Sequence, residues 1–242
     1  MESNFSNYLY YLPNQSHPLG SHKLGEIEIS TDPEVISSVV NSRKSKQRPQ
    51  GYQSNPLNDR FEDIGIVFED EYLLVVRDAV VFRNGKVGSY LRILERPALT
   101  GKAGVVILPI RDGLIYLNKI FRHTTRQWEI ELPRGYREEN NSLEEAVEIE
   151  LLQEVGLKIE SICNLGEIQS NTGLLVGSVQ AYLVNLLPGK AQSAPEDGES
   201  ISDTLALTLN EVNQKIINGE IRDGFTLSAL YLAQARNLIK NY

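Results

Sequence analysis

From about Asp63 the chain turns to short apolar runs bounded by turn residues, a pattern that predicts strands. Ile64 to Phe68 and Tyr72 to Val81 are rich in β-branched and aromatic residues. Asn84-Gly85 marks a tight turn, with a return strand over Tyr90 to Leu94. A second hairpin is expected from Gly104–Ile110 and Leu114–Phe121, about the turn Arg111-Asp112-Gly113. Leu132-Pro133-Arg134-Gly135 should then break the strands. The pattern changes at Ser142, where Glu145 three residues on completes a capping box, and Gly156 stands where the helix should end. Strands are expected again over Lys158–Ile168 and Ser178–Leu186. A polar, acidic loop over Pro188–Ser200 and two closing helices, Asn210–Ile217 and Thr226–Asn237, complete the pattern. Elements interleave without a regular βαβ rhythm, so the expected class is α+β around a mixed sheet.

The first 57 residues read differently. They are rich in Ser, Asn, Gln and Pro, and their main apolar run, Val35 to Val40, suits a short helix begun by Asp32-Pro33. The basic cluster Arg43–Arg48 is read as a solvated linker in preference to a nucleic-acid contact. The expected organisation is an accessory arm over 1–57, partly ordered, an antiparallel β subdomain over 58–100, and a main domain over 101–242.

Composition narrows the function. The 242 residues carry 24 Lys+Arg against 32 Asp+Glu, a formal charge of −8, which argues against a nucleic-acid coat that needs excess cations. Hydrophobic residues at 41% and charged residues at 23% allow a sizeable core. Cys163 is the single cysteine, so an intramolecular disulfide and a multi-thiolate zinc site are both excluded. The N-terminus lacks the basic and apolar regions of a secretory signal, and no apolar stretch reaches the ~20 residues of a membrane span. The expectation is a soluble, cytoplasmic protein without membrane or nucleic-acid partners.

On a wheel at about 100° per residue, the helix after Ser142 sorts its carboxylates into two groups. Glu150 and Glu154 share the sector of Leu143, Ala146 and Val147, while Glu144, Glu145 and Glu148 take the solvent side. Like charges at that spacing repel by ~0.2–0.5 kcal/mol when exposed, and desolvation adds to the cost. A divalent cation reverses the sign, because carboxylate oxygens are the ligands Mg²⁺ prefers and substrate phosphates complete its shell. The alternative, a helix in which Glu is merely a good helix former, suits the outer three and suits Glu150 and Glu154 poorly.

The segment Gly135 to Leu157, GYREENNSLEEAVEIELLQEVGL, resembles the Nudix box, GX5EX7REUXEEXGU with U a bulky aliphatic residue. The frame fits with no insertion. Gly135 opens it, Glu150-Leu151 match EU, Glu154 matches the last Glu, and Gly156-Leu157 close it. Three positions depart: Asn141 replaces the first Glu, Ile149 the Arg, and Gln153 the middle Glu. Trp128 to Pro133 resembles the approach strand of the ADP-ribose pyrophosphatase branch, and Gly219 to Thr226 resembles its final helix entry. The resemblance implies a Nudix fold over 101–242, a mixed β-sheet sandwiched between helices and preceded by the small antiparallel subdomain.

It also implies a metal-dependent hydrolase that cleaves the diphosphate of a nucleoside diphosphate derivative, with ADP-ribose giving AMP and ribose 5-phosphate. Mg²⁺ or Mn²⁺ would be held by Glu150 and Glu154, with the backbone carbonyl of Arg134 and the side-chain carbonyl of Gln153. Gly135 would permit a backbone turn that a side chain would obstruct. Arg122 matches an arginine that holds substrate phosphates, with Arg126 as its competitor, and His123 is read as a polar loop residue. Trp128 could stack on a base, although a core aromatic is the preferred reading. Glu199, then Glu196, falls where the related pyrophosphatases carry a catalytic loop glutamate. Thr172 stands where the ADP-ribose subgroup usually has proline. A homodimer is implied, and the second reading is a binding module that senses the nucleotide without cleaving it.

Overall fold

The computed structural model describes residues 26–48, 50, 51, 53, 61–96, 104–138, 140–189 and 200–239. The chain forms two compact units, 1–99 with 171–176, and 100–170 with 177–242. The first contains β1 (Glu28–Ile29), α1 (Pro33–Lys44), β2 (Gly65–Glu69), β3 (Leu73–Val81), β4 (Val87–Glu95) and a late strand, β10 (Leu175–Val176). Helix α1 starts where the proline suggests, with the Asp32 carboxylate accepting from the Glu34 amide at 2.8 Å. Strands β3 and β4 pair from Leu73↔Glu95 to Val81↔Val87 about a turn in which Gly85 has φ 76°. Pairing is antiparallel except at β10, which lies parallel to β4 with Leu175 opposite Ile93 and Val176 opposite Leu94. Ile66, Leu74, Val76 and Leu94 form the core of this sheet.

The second unit is built on a seven-stranded sheet of β5 (Gly104–Arg111), β6 (Leu114–Arg122), β7 (Gln127–Glu131), β8 (Arg134–Tyr136), β9 (Ile159–Ile168), β11 (Val179–Leu186) and β12 (Ile201–Thr208). It is mixed, because β11 runs parallel to β5 and antiparallel to β9. Alternation along the central strands divides the core in two. Val105, Ile107, Tyr116, Tyr182 and Val184 point to α2 (Leu143–Glu154), where they meet Ala146, Val147 and Leu151. Val106, Leu108, Ile115, Leu117, Ala181 and Leu183 point the other way. There they pack against Leu209 and Val212 of α3 (Leu209–Ile217) and Ala229, Leu230 and Ala233 of α4 (Gly224–Ala235). A run such as Val105–Leu108, buried on both faces, is what a strand covered on both sides requires. Four helices and two sheets among the described residues give the expected α+β class. No helix among them is long and apolar enough to cross a membrane.

Three expectations need correction. The second hairpin pairs only at its tip, Ile110↔Ile115 and Arg111↔Leu114. Below the tip β6 pairs with β7 and β5 pairs with β8, so the β7–β8 segment wedges the two arms apart. Leu132-Pro133 interrupts that segment, but Arg134 to Tyr136 resumes as a strand against Gly104–Val106. Residues 201–208, for which no strand was expected, pair with β6 as β12. The register places Thr204 opposite Asn118, and Asn118 opposite Glu131 on its other side.

Candidate active site

Helix α2 begins as its sequence dictates. Ser142 Oγ accepts from the Glu145 amide at 3.1 Å, and Glu145 Oε2 accepts from the Ser142 amide at 2.6 Å. Gly156, with φ 72°, follows its C-terminal end. This fixes the rotation of the helix, and with it the fate of each glutamate. Glu144, Glu145 and Glu148 are exposed, Glu150 is half-buried and Glu154 is 3% exposed. Gln153 is half-buried, and Ile149, where the box pattern has arginine, is exposed.

The Glu150 carboxylate lies directly against Gly135 in β8, so that a Cβ built on that glycine would overlap both carboxylate oxygens. This corrects the reason for the glycine. Gly135 lies in a strand with no positive φ, and the backbone there does not need glycine's conformational freedom. What it needs is the missing side chain, because the carboxylate occupies that volume.

Glu154 is held from the sheet. Asn118 Nδ2 on β6 donates to its Oε2. Thr204 Oγ1 on β12 contacts Asn118 Oδ1 at 3.2 Å and the Glu154 backbone carbonyl at 3.3 Å. Next in the same row of the sheet stands Glu131, 3% exposed. It accepts Arg122 Nε and Nη2 at 2.9 and 2.6 Å, and Arg134 Nη2 at 3.0 Å. Arg134 also approaches Asp223 at 3.4 Å. Asp223 accepts the Thr226 hydroxyl at 2.8 Å, and that hydroxyl accepts the Leu132 amide at 3.0 Å. The N-terminus of α4 thus supplies a partner for the backbone N–H at the β7–β8 break.

Burial works against the Arg122 charge. The Glu131 hydrogen bond, with the Glu131, Asp223 and Glu154 charges, outweighs it and raises the guanidinium pKa above its ordinary value. Of the two arginines weighed for phosphate binding, Arg122 is therefore the one beside the buried carboxylates. Arg126 is turned to His123 at 2.8 Å and to the Phe121 ring at 5.2 Å. His123 lies exposed in the β6–β7 turn, as expected of a polar loop residue. A second pair sits lower on β7. Glu129, 5% exposed, accepts Arg222 at 2.9 and 3.0 Å and Thr125 at 2.9 Å. The Arg222 hydrogen bond outweighs burial and, with Thr125 and the neighbouring positive charges, holds the Glu129 pKa below its ordinary value.

Trp128 is not a core aromatic. It is 50% exposed, edge-on to Phe121 at 5.6 Å with Lys119 Nζ 6.0 Å from its ring. On β7 the usual pattern is inverted, since Glu129 and Glu131 turn inward to arginines and the intervening face carries Trp128 outward. Glu196 and Glu199 lie outside the described residues. The structure therefore brings Glu150, Glu154 and Gly135 together, with Gln153 beside them on the helix and Arg122 and Arg134 on the adjoining strands. Sequence reasoning missed Asn118, Thr204, Glu131 and Asp223. The one available signal was a polar Asn118 in the middle of an otherwise apolar strand pattern.

Glu150, Gln153 and Glu154 offer only oxygen donors, the class Mg²⁺ and Mn²⁺ take, and Gly135 leaves room for a carboxylate that a side chain would displace. The residues present fit such a cation. Among the described residues no group of three or more His, Cys, Asp or Glu is placed to hold a metal by itself.

Neither a protein-family model nor a curated protein sequence matches the chain. Among solved structures, a crystal structure of an ADP compounds hydrolase matches with 22% identity and a TM-score of 0.61. The match covers 72% of this chain and 90% of the other. That likeness shows a shared fold, an α+β arrangement of the class expected from the sequence.

Proposed function

We propose that the protein is a metal-dependent Nudix-type hydrolase of a nucleoside diphosphate derivative, with ADP-ribose, cleaved to AMP and ribose 5-phosphate, as the first substrate to test. One observation carries the reading: the Glu150 carboxylate fills the space of an absent side chain at Gly135, one helical turn from a buried Glu154. A cation held by Glu150 and Glu154, with Gln153 and the Arg134 carbonyl as further oxygen donors, would neutralise diphosphate oxygens and polarise the attacking water. Gly135 sets where Glu150 stands. Arg122, held in place by Glu131, is the proposed contact for substrate phosphates. Glu199, with Glu196 as the alternative, is the proposed base for the attacking water from its place in the sequence. Trp128, solvent-facing beside Lys119, is offered for base stacking. Likeness to the family also supports a homodimer, which analytical ultracentrifugation tests.

The purified chain should hydrolyse one or more of ADP-ribose, NADH, sugar nucleotides and dinucleoside polyphosphates in Mg²⁺ or Mn²⁺. Turnover no greater than that of a Glu150→Gln, Glu154→Gln double variant overturns the enzyme reading. Gln153, uncharged where the box has its middle carboxylate, favours a second reading in which the fold binds and senses the nucleotide. Calorimetry would then find metal-independent ADP-ribose binding with the ligand recovered intact. Gln153→Glu, if it greatly increases metal binding and turnover, identifies the site as a weakened catalytic one.

A further inference from the structure

A row of three polar residues crosses the α2 face of the main sheet, Thr204, Asn118 and Glu131, paired side by side on β12, β6 and β7. The middle one stands between two buried carboxylates, because Glu154 from α2 lies over it. Asn118 is 2% exposed, so its carboxamide must find its partners inside the protein. It does so in one sense only. Nδ2 donates to Glu154, and Oδ1 is met by the Thr204 hydroxyl. Turned over, the amide would set its oxygen against the Glu154 carboxylate and withdraw the Nδ2 donor from it. Thr204 therefore touches both ends of the arrangement, the amide and the main chain of the residue that the amide holds.

From this geometry we infer that Asn118, oriented by Thr204, is a positioning residue that fixes the Glu154 carboxylate for a divalent cation. A neutral donor is what the place demands. A hydrocarbon would withdraw the amide donor from a buried carboxylate, and a carboxylate would add a third negative charge between Glu131 and Glu154. The inference rests on the proposed function, since it assumes that Glu154 is a cation ligand. Support of this kind, given to a ligand by a residue that does not touch the metal, typically carries 10–100-fold in affinity.

The test uses Mn²⁺ as the probe, added to the full chain without nucleotide, with the free ion followed by electron paramagnetic resonance. Asn118→Leu, close in volume, should weaken Mn²⁺ binding by about 10-fold or more. Thr204→Val should weaken it in the same direction by a smaller factor, and Thr204→Ser, which keeps the hydroxyl, should bind as the native chain does. Affinity for the ion is a property that a residue filling space alone would leave unchanged. Should Asn118→Leu fail to fold, the Thr204→Val and Thr204→Ser pair decides. Glu154→Gln separates the two levels. If it loses Mn²⁺ while Asn118→Leu or Thr204→Val binds as tightly as the native chain, the positioning role is overturned and the metal site stands. If Glu154→Gln also binds as the native chain does, the metal site falls and takes the positioning role with it.

Discussion

The two faces of the seven-stranded sheet are made from the same strands and serve different ends. Toward α3 and α4 the buried surface is mostly apolar, Leu108, Leu117, Leu183 and Leu230 among it, with the Thr226 hydroxyl a buried polar exception. Toward α2 an apolar cluster around Val147 and Leu151 gives way, along one edge, to Glu154, Asn118 and Glu131. A strand that carries Leu117 on one side and Asn118 on the other contributes burial energy to the first face and holds a carboxylate on the second. Apolar burial stabilises at about 25 cal/mol per Å², whereas buried carboxylates stabilise weakly at best and are destabilising when a partner is lost. Stability and chemistry are separated by the pleat of a single strand.

Breaking each face in turn should show that separation. The largest effect is expected on activity, where Glu150→Gln should cut turnover with Mg²⁺ by at least about 100-fold, the upper end for residues that only support a metal. Urea unfolding of the same variant should show stability held, or raised by ~0.2–0.5 kcal/mol as repulsion with Glu154 is relieved. Leu117→Ala on the opposite face should do the reverse, costing about 2–5 kcal/mol in urea unfolding while turnover per folded molecule stays near native. Thr226→Val tests the junction, where a fully buried hydroxyl partners the Leu132 amide. Loss of that partner should cost about 1–3 kcal/mol by the same measurement.

The smallest effect is one of pH. Glu129 has a folded pKa below its ordinary value, so its pairing adds stability above the ordinary glutamate range and loses it as pH falls through the folded value. Arg222→Ala removes the chief cause and leaves burial opposed only by the Thr125 hydrogen bond and the Arg122 charge. Urea midpoints should therefore fall at neutral pH relative to the native chain, and the gap should close on acidification. A gap that persists below the folded value would mean that Arg222 acts through packing instead.

What could be read from the sequence was local. Ser142 with Glu145 and the glycine at 156 define α2 within its own residues, and the helical period then turns Glu150 and Glu154 inward. The approach of Glu150 to Gly135 is foreshadowed only by the box spacing, and its cause, a close contact in a strand, is visible only in three dimensions. Asn118, Thr204 and Glu131 meet through strand register, for which a single strand's composition holds no instruction. Trp128 misled for a related reason. A large aromatic is ordinarily a core residue, but on β7 the buried positions are claimed by carboxylates bound to arginines. Strand β12 was missed because its positions are exposed or half-buried, which weakens the alternation that marks a strand.

Strand β10 determines where the polypeptide can be cut. Residues 171–176 leave the large unit after β9, join the sheet of the small one, and return before β11. A fragment beginning at residue 100 would keep Leu175 and Val176 while discarding Ile93 and Leu94, their hydrogen-bonding partners. Its complement, ending at residue 99, would expose the margin of β4 as a bare template for any passing strand. Either cut separates two strands that pair in one sheet, and only the uninterrupted chain keeps them together.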